Sequence, residues 1–465
     1  MKINYTLFPF IVCCVVGIYA QNTVINDPNF EQALIDLGYD SDNTINGTVL
    51  TSDISGRTSL MIPSKNITDL TGIEDFISLT NLTCNSNQIT SLDLSNNTAL
   101  TRLQCYDNQL TSIDVTQNTA LTFLNVNINQ LESIDLSQNT LLTTLGIYDN
   151  QLTSLDITKN TALVYVQCQV NQISDLDVSQ NTALLNLNCS GNLFTSLDLS
   201  YNTALTTLNC GASQLSVLDI SQNTLLTNLS CSYNSLLTDL DLTHNLELDY
   251  LYCSGNPLLE TLDITYNTKL TDISCYSNPL LTTLDVSQNT ALTKFYGPET
   301  PFTSLDFSTN NALTVLNCSY NSQLLALNVK NGNNALLTSM DARGCLSLEC
   351  IQVDDETAAN EAQAPYTNWE KVTTTVYAED CSALGMDDYA LAKSIRLFPN
   401  PATNVLHMDT KIPIEKVELY SILCKNVMTI TSGFDTIPME QLANGIYIVK
   451  IQSKYGVFTK KLIKK

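Results

Sequence analysis

Basic residues are scarce in this sequence. It has 21 Lys and Arg against 46 Asp and Glu, which gives a formal net charge of −25. Phosphate contacts need clustered Lys and Arg, so this balance argues against nucleic-acid binding and against adsorption to anionic lipid. The charge is uneven, because Lys393–Lys465 holds 11 basic and 5 acidic residues while the remaining 392 residues hold 10 and 41. Such an acidic body is typical of a protein kept soluble outside the cell.

The residue types of many active sites are also rare. The two histidines are His244 and His407, and neither has a nucleophile or a carboxylate relay near it in the sequence. Paired carboxylates can serve a glycosidase. Here, however, the Asp residues recur identically along the chain, whereas a catalytic pair should be unique, so we expect no enzyme. The single Trp369 weakens a platform for sugar stacking, although tyrosines could provide one.

Long apolar runs are missing after the first twenty residues, so we expect no transmembrane segment. The first twenty predict a secretory signal, in which Lys2 supplies the charge, Leu7–Ile18 the apolar stretch and Ala20 the small residue before the cut. The stretch is too short to predict a membrane span. A lipoprotein signal at Cys13 or Cys14 is the weaker alternative.

What the sequence has instead is one segment repeated about a dozen times. Leu100–Gln130 spells L-x-x-L-x-C-x-x-N-x-L and then I-x-V-x-x-N, and the spelling starts again at Leu121, a step of 21 residues. A fixed period of this length is typical of a solenoid, in which each coil stacks on the next. Leucine-like positions such as Leu92 and Leu94 supply the buried side chains, and no coil could bury enough surface to be stable alone.

Cysteine occupies one inward column of the stacked coils. Because Val and Ile replace it in some coils, we expect buried structural thiols, with a disulfide ladder and a metal site as the alternatives. The clustered ligands of a zinc site, such as C-x-x-C, are missing. Cys350 and Cys381 lie outside the column and are the disulfide candidates, with Cys345 as the competitor.

Two asparagine columns mark the turns of each coil. One is represented by Asn108 and Asn129, and the other by Asn97 and Asn118. An amide at a turn can satisfy backbone groups of its own coil and of the next one. Two such turns in 21 residues predict two short strands per coil, and hence two parallel sheets with little helix between them.

The outward residues of the first strand predict a ligand-binding surface. They flank the cysteine, carry almost no charge and are rich in Tyr, which offers a large contact area at low entropic cost. The alternative is that Tyr is simply a good strand residue. The candidate binding residues are Gln104, Tyr106, Tyr148, Gln167, Asn188, Tyr252, Tyr276 and Tyr296.

The second strand carries a stripe of aspartates between hydroxyl residues, as in Ser112-Asp114-Thr116. Like charges about 4.8 Å apart repel one another, so something must offset the repulsion. Hydrogen bonds from the flanking hydroxyl groups, with solvation and salt, are one explanation, and a calcium or mineral array is the other. Apart from such calcium we expect no cofactor. The candidate metal ligands are Asp93, Asp114, Asp135, Asp156, Asp177 and Asp198.

The residues before the repeats predict a cap on the open end of the solenoid. Pro28–Gly38 has apolar residues at helical spacing, with Asp27 placed to cap the start and Gly38 to end the helix. We interpret the following segment, Asp40–Gly47, as an acidic turn, with a calcium loop as the alternative, because its glycine is misplaced for an EF-hand.

The repeat spelling resembles the leucine-rich repeat arrays of secreted Bacteroidota proteins and is distantly similar to internalins. The resemblance covers about Leu79–Val353. It implies a curved solenoid that binds proteins or other macromolecules, and it implies no catalysis.

About the last 70 residues resemble the type A sorting domain of type IX secretion cargo. Short alternating strands there predict a small β-sandwich, and Cys424 stands where that family usually has Gly. The resemblance implies entry into the periplasm, then export by the type IX machinery to the medium or the outer-membrane surface. The motif residues are Phe398, Pro399, Asn400, Pro401, Gly445 and Tyr447.

Together the patterns predict a mainly β protein, a leucine-rich repeat solenoid of 21-residue coils with two short parallel strands each, followed by a small antiparallel β-sandwich. The expected function is to bind a protein or glycan ligand. A calcium- or mineral-binding structural role is the alternative, and a carbohydrate-active enzyme is less favoured. The expected segments are a signal peptide (1–20), an N-terminal cap with a short helix (21–78), the solenoid (79–353), a C-terminal cap (354–381), a linker (382–393) and the sorting domain (394–465).

Overall fold

The computed structural model describes residues 21–381, 395–410, 414–421, 425–453 and 456–465. The predicted signal peptide, the predicted linker and Cys424 lie outside these ranges. The chain divides into two compact units, Met1–Gln214 and Leu215–Lys465.

A short helix precedes the coils of the first unit. Asp27 caps it as its sequence position predicts, because its Oδ1 accepts the backbone N–H groups of Asn29 and Phe30 at 2.8 and 3.2 Å. Gly38 follows the helix in the left-handed region at φ +68°. The elements before the coils are β1 (Asn22–Val24), α1 (Pro28–Asp36), β2 (Thr48–Leu50), which pairs antiparallel with β1, and α2 (Thr51–Ile54).

The segment Asp40–Gly47 is held by hydrogen bonds within the chain. Glu31 Oε1 accepts the backbone N–H of Gly47 at 2.9 Å, and Asp42 Oδ1 accepts that of Thr44 at 2.8 Å. These bonds form an acidic turn, and the calcium loop stays a prediction.

Eight parallel strands form the sheet of the first unit, each paired with the next along the chain. Leu103 lies opposite Leu124, which confirms the 21-residue step. Each strand has three residues, and the central one is buried against the core. The strands are β3 (Ser59–Met61), β4 (Asn81–Thr83), β5 (Arg102–Gln104), β6 (Phe123–Asn125), β7 (Thr144–Gly146), β8 (Tyr165–Gln167), β9 (Asn186–Asn188) and β10 (Thr207–Asn209).

The second unit continues the same coil pattern. Leu229 lies opposite Leu251, so the step there is 22 residues. Its coil elements are β11 (Asn228–Ser230), β12 (Tyr250–Tyr252), β13 (Asp272–Ser274), β14 (Lys294–Tyr296), β15 (Ser304–Asp306), β16 (Val315–Asn317), β17 (Ala326–Asn328), β18 (Ser339–Ala342), β19 (Cys350–Gln352), α3 (Glu356–Asn360), β20 (Glu370–Lys371) and β21 (Val376–Ala378). One parallel sheet has the order β11-β12-β13-β14-β16-β18-β20, and a second has the order β15-β17-β19-β21.

The predicted mainly β fold is confirmed, but two strands in every coil is wrong for most coils. No second strand forms within the described part of the first unit, and only four form among the described residues of the second unit. In the coils without a second strand, side chains satisfy backbone N–H groups on both sides of this segment. The Ile89 N–H donates to Asn108 Oδ1 at 3.0 Å, and the Ser95 N–H donates to Asp93 Oδ1 at 2.9 Å. The second kind of bond also occurs beside β15, where the Ser308 N–H donates to Asp306 Oδ1 at 3.0 Å.

The cysteine column and the asparagine columns lie inside the coils. The ten free cysteines of the described chain are all buried. Asn108 shows how its column works, since its Nδ2 donates to the carbonyls of Cys84 and Cys105 at 3.1 and 3.0 Å. Each amide therefore satisfies backbone groups of its own coil and of the coil before it.

The last coils end in a disulfide and an aromatic cluster. Cys350 and Cys381 are joined by a disulfide with their Cα atoms 5.9 Å apart, and Cys345 is a free buried thiol. Trp369 packs edge-on against Tyr366 with ring centroids 4.6 Å apart, and its Nε1 donates to the Leu337 carbonyl at 2.8 Å. This cluster covers apolar surface at the end of the coil sheet.

Two small antiparallel sheets follow. Their orders are β22-β23-β26 and β25-β24-β27-β28. Buried residues from both sheets share one core, among them Leu406, Val417 and Val449. The strands are β22 (Arg396–Phe398), β23 (Val405–Asp409), β24 (Ile414–Ser421), β25 (Asn426–Ile430), β26 (Thr436–Pro438), β27 (Gly445–Ser453) and β28 (Gly456–Lys464).

Candidate ligand-binding face

The sheet of coil strands presents one face away from the core. In a strand, successive side chains point to opposite sides, so a buried central residue leaves its two neighbours on the outer side. β5 illustrates this arrangement, because Leu103 is fully buried while Arg102 and Gln104 are half-buried. We call the outer side of these strands the sheet face.

In the first unit, polar side chains on the sheet face bind to one another. Gln104 Nε2 donates to Thr83 Oγ1 at 3.2 Å, and Gln167 Nε2 donates to the Tyr165 hydroxyl at 2.7 Å. The remaining candidates here, Tyr106, Tyr148 and Asn188, are half-buried just after or within the strands. Gln104, Gln167 and Asn188 therefore lie on the sheet face, while Tyr106 and Tyr148 follow their strands by two residues. All five are half-buried, and their contact with a ligand stays a prediction.

In the second unit, tyrosines gather on neighbouring coils. Tyr252 lies beside Ser274, which lies beside Tyr296, in the register of β12, β13 and β14. Tyr276 follows β13, and its hydroxyl bonds that of Tyr233 while the two rings meet edge-on with centroids 6.2 Å apart. We call the set Tyr233, Tyr250, Tyr252, Tyr276 and Tyr296 the tyrosine patch.

Two hydroxyls of the tyrosine patch, those of Tyr252 and Tyr276, have raised pKa values. Burial and the neighbouring Asp272 raise the pKa of Tyr252, which is 36% exposed. The hydrogen bond with Tyr233, with burial second, raises the pKa of Tyr276 to about 12. The patch therefore offers flat apolar rings, with neutral hydroxyl donors at Tyr252 and Tyr276, a combination common on protein-binding surfaces.

One row of the sheet face is not among the candidates that the sequence suggests. Those candidates flank the cysteine, whereas this row consists of the first residue of each strand, which also points outward. Period-two alternation about the buried leucine could have found this row. It includes Arg102, whose guanidinium lies 3.5 Å from the ring centroid of Phe123, as well as Tyr165, Tyr250, Asp272 and Lys294.

The aspartate stripe has a local structural role. In each of the six predicted ligands, Oδ1 accepts the backbone N–H two residues later at 2.9 Å. These bonds, together with those from the Ser or Thr hydroxyls, hold the pKa of every one of these carboxyls below its usual value. The hydroxyl explanation therefore accounts for how exposed like charges are tolerated in neighbouring coils.

Neither a metal centre nor a membrane helix is seen in the described chain. Over residues 21–381 and the described parts of 395–465, no group of three or more His, Cys, Asp or Glu residues is arranged to hold a metal ion. Over the same residues, no helix has the length and apolar character needed to span a bilayer.

The C-terminal sheets have a recognisable sequence. Residues 396–465 match the family described as the secretion system C-terminal sorting domain. The chain carries a type IX secretion sorting domain. The domain implies delivery to the medium or to the outer cell surface, as the resemblance of residues 398–401 and 445–447 suggested.

Solved structures with a similar fold are leucine-rich repeat proteins. The functional domain of InlJ from Listeria monocytogenes, described as including a cysteine ladder, is 29% identical, with a TM-score of 0.65 over 96% of this chain and 99% of that chain. An internalin, inlF, from the same species is 19% identical, with a TM-score of 0.57 over 77% of this chain and 96% of that chain. No curated protein matches the sequence. The coils are thus a leucine-rich repeat solenoid, and its neighbours are internalin-like.

Proposed function

We propose that the solenoid binds a protein ligand through its sheet face after export by the type IX machinery. The observation that carries the proposal is the tyrosine patch, in which five tyrosines lie on neighbouring coils. Tyr is enriched at protein interfaces because it buries a large area with few rotatable bonds. Leucine-rich repeat folds of this kind are also typically protein-binding.

A binding role fits the site better than catalysis does. The carboxylates of the stripe recur coil after coil in the same hydrogen-bonded turn, so none of them forms a distinct acid–base pair. The calcium or mineral role stays a prediction with less support, because each of these Asp residues already accepts at least one hydrogen bond within its own coil. The experiment must distinguish a protein ligand from a glycan ligand.

The test is a binding array with the full chain. Cell-surface proteins and polysaccharides would be probed with and without calcium, using the wild type and a Tyr252→Ala/Tyr276→Ala variant. The matched control is Tyr266→Ala, because Tyr266 is 57% exposed in the same unit but lies in the turn that follows Asp263, outside the sheet strands. Protein hits lost only in the double variant would support the proposal. Polysaccharide hits alone, or hits that need calcium and survive the double variant, would refute it.

The export half of the proposal has its own test. A periplasmic reporter fused to residues 396–465 should appear outside the cell in a bacterium with type IX secretion. The same reporter without these residues should stay in the periplasm. Equal export of both would contradict the assignment of the signal to this domain.

A further inference from the structure

One carboxylate on the sheet face is only partly neutralised. In the register of β12, β13 and β14, Tyr250 lies beside Asp272, and Asp272 lies beside Lys294. Asp272 is 6% exposed, although it points to the outer side of the sheet. Its position in the first row of the strand places it directly alongside the tyrosine patch.

The hydrogen bonding of Asp272 is incomplete. Its Oδ2 lies 3.7 Å from Lys294 Nζ, and its buried Oδ1 has no hydrogen-bond partner within the described chain. A carboxylate removed from water without full pairing is costly, so its persistence on a surface calls for an explanation. Its neighbour Asp249 is engaged differently, since it accepts the hydroxyl of Thr271.

The charges around Asp272 do not balance. The groups that face it are the carboxylate of Asp249, the ammonium of Lys294 and the hydroxyls of the nearby tyrosines. Two carboxylates against one ammonium leave one negative charge in a partly desolvated place. Lys294 is also a weak partner, because its side chain is 47% exposed and can turn to solvent.

A basic side chain is the group that fits this place. Its cation would pair with Asp272, and the rings of Tyr250 and Tyr252 beside it can attract a cation through their faces. Arginine suits such a site better than lysine, because its planar guanidinium donates several hydrogen bonds and stacks on aromatic rings. A metal ion fits less well, since the place offers two carboxylates and no third acidic or histidine ligand within the described residues.

We propose that Asp272 determines the specificity of the tyrosine patch by taking an arginine side chain of the protein ligand. This inference rests on the proposed function and names the chemistry of the partner as a basic segment. Lys294 pairs with Asp272 when the ligand is absent, and the guanidinium of the ligand displaces it. The acidic body of the chain draws the basic segment toward this face.

The test uses the full chain and a defined probe. The probe is a fluorescein-labelled Gly-Ser-Arg-Ser-Arg-Gly peptide, and the neutral comparison peptide has citrulline in place of arginine. Fluorescence anisotropy would be measured for the wild type, for Asp272→Asn and for Lys294→Met. The matched control is Glu260→Gln, which removes one exposed negative charge from the same unit away from the sheet face.

The inference predicts a specific order of affinities. Asp272→Asn should weaken arginine-peptide binding about tenfold, to the level of the citrulline peptide, and Glu260→Gln should leave it within about twofold. Lys294→Met should tighten binding at pH 8, because it removes the competing cation. Asp272→Asn has nearly the same shape and lacks the buried charge, so it should fold at least as stably as the wild type, and a thermal melt checks this.

Two results would overturn the inference. Equal losses in Asp272→Asn and Glu260→Gln would show general attraction to an acidic protein, and unchanged binding in Asp272→Asn would exclude the residue. Its failure is distinguishable from failure of the proposed function. If binding of a protein ligand is lost in Tyr252→Ala and kept in Asp272→Asn, the inference alone is wrong. If peptide binding depends on Asp272 but no protein ligand is found, the proposed function alone is wrong.

Discussion

Asn129 donates from its side-chain Nδ2 to the backbone carbonyl of Cys105, 3.2 Å away and in the preceding coil. The same amide donates to the Val126 carbonyl in its own coil at 3.1 Å, and its Oδ1 accepts the Leu110 N–H at 3.0 Å. One side chain thus closes a turn and fastens two coils together. This repeated linkage holds the sheet face in a fixed geometry, and with it the rows of tyrosines.

Replacing this amide should destabilise the coils strongly. Asn129→Ala leaves the buried Leu110 N–H without its acceptor and removes one of the two amide donors from each of the Cys105 and Val126 carbonyls. The free energy of unfolding should therefore fall by about 2–4 kcal/mol. Urea unfolding followed by circular dichroism measures the change. The matched control is the exposed Asn96, since Asn96→Ala should cost less than about 0.5 kcal/mol. Similar losses in both variants would contradict the role assigned to Asn129.

The aspartate stripe should make the protein sensitive to acid. The hydrogen bonds that hold the carboxyl pKa values below 3.8 give a stabilisation that is fully present above that pH. It is lost as the pH falls through the lowered pKa values. A triple Asp114→Asn/Asp135→Asn/Asp177→Asn variant keeps an acceptor in each turn but cannot titrate.

Thermal melts in this low-pH range check the prediction. The midpoint of the triple variant should fall less steeply on acidification than that of the wild type. Replacing the exposed Glu132 by Gln serves as the control and should leave the slope unchanged. Identical slopes for the wild type and the triple variant would refute it.

The cysteines of the inward column should fill space in the core and should not react in the folded protein. Burial raises the pKa of the Cys105 thiol to about 12, and its side chain is fully buried, so iodoacetamide at pH 8 should not modify it in the folded protein. Cys105→Val should change stability by less than about 1.5 kcal/mol, because Val126 fills the same position one coil later. Rapid alkylation of the native protein, seen by mass spectrometry, would contradict this account.

The disulfide should stabilise the last coils. Cys350 and Cys381 are 31 residues apart, so breaking their bond should cost about 3–4 kcal/mol, mainly through the entropy of the unfolded chain. A Cys350→Ala/Cys381→Ala variant and the reduced wild type should show the same loss in urea unfolding. Peptide mapping without reductant should recover the two cysteines linked, and a bond that includes Cys345 instead would contradict the pairing.

The sequence predicts the coil well because the coil is periodic. Repetition at 21 residues places Cys105, Asn108 and Leu103 in inward columns, and alternation about the buried leucine fixes the outward ones. The second sheet could not be predicted in the same way. The aspartate turn is common to coils without and with a second strand, as at Asp93 and Asp306, so the repeat spelling does not distinguish the two kinds of coil.

Asp272 escaped prediction for a related reason. A single aspartate in a column of mixed polar residues has no periodic signal, and its significance comes from burial and from Lys294 and Tyr250 on neighbouring coils. Only the folded chain brings these groups together. Every coil shares the regular positions of the array. Residues at irregular positions are therefore the ones to examine for ligand specificity.

Hydrogen–deuterium exchange of the full chain with and without a captured protein ligand tests the central claim most directly. The account predicts slower exchange in the peptides that contain β12, β13 and β14, from Tyr250 to Tyr296, and no change in the turns that carry Asp114 and Asp135. Slower exchange confined to the aspartate turns, or none in the three strands, would contradict it.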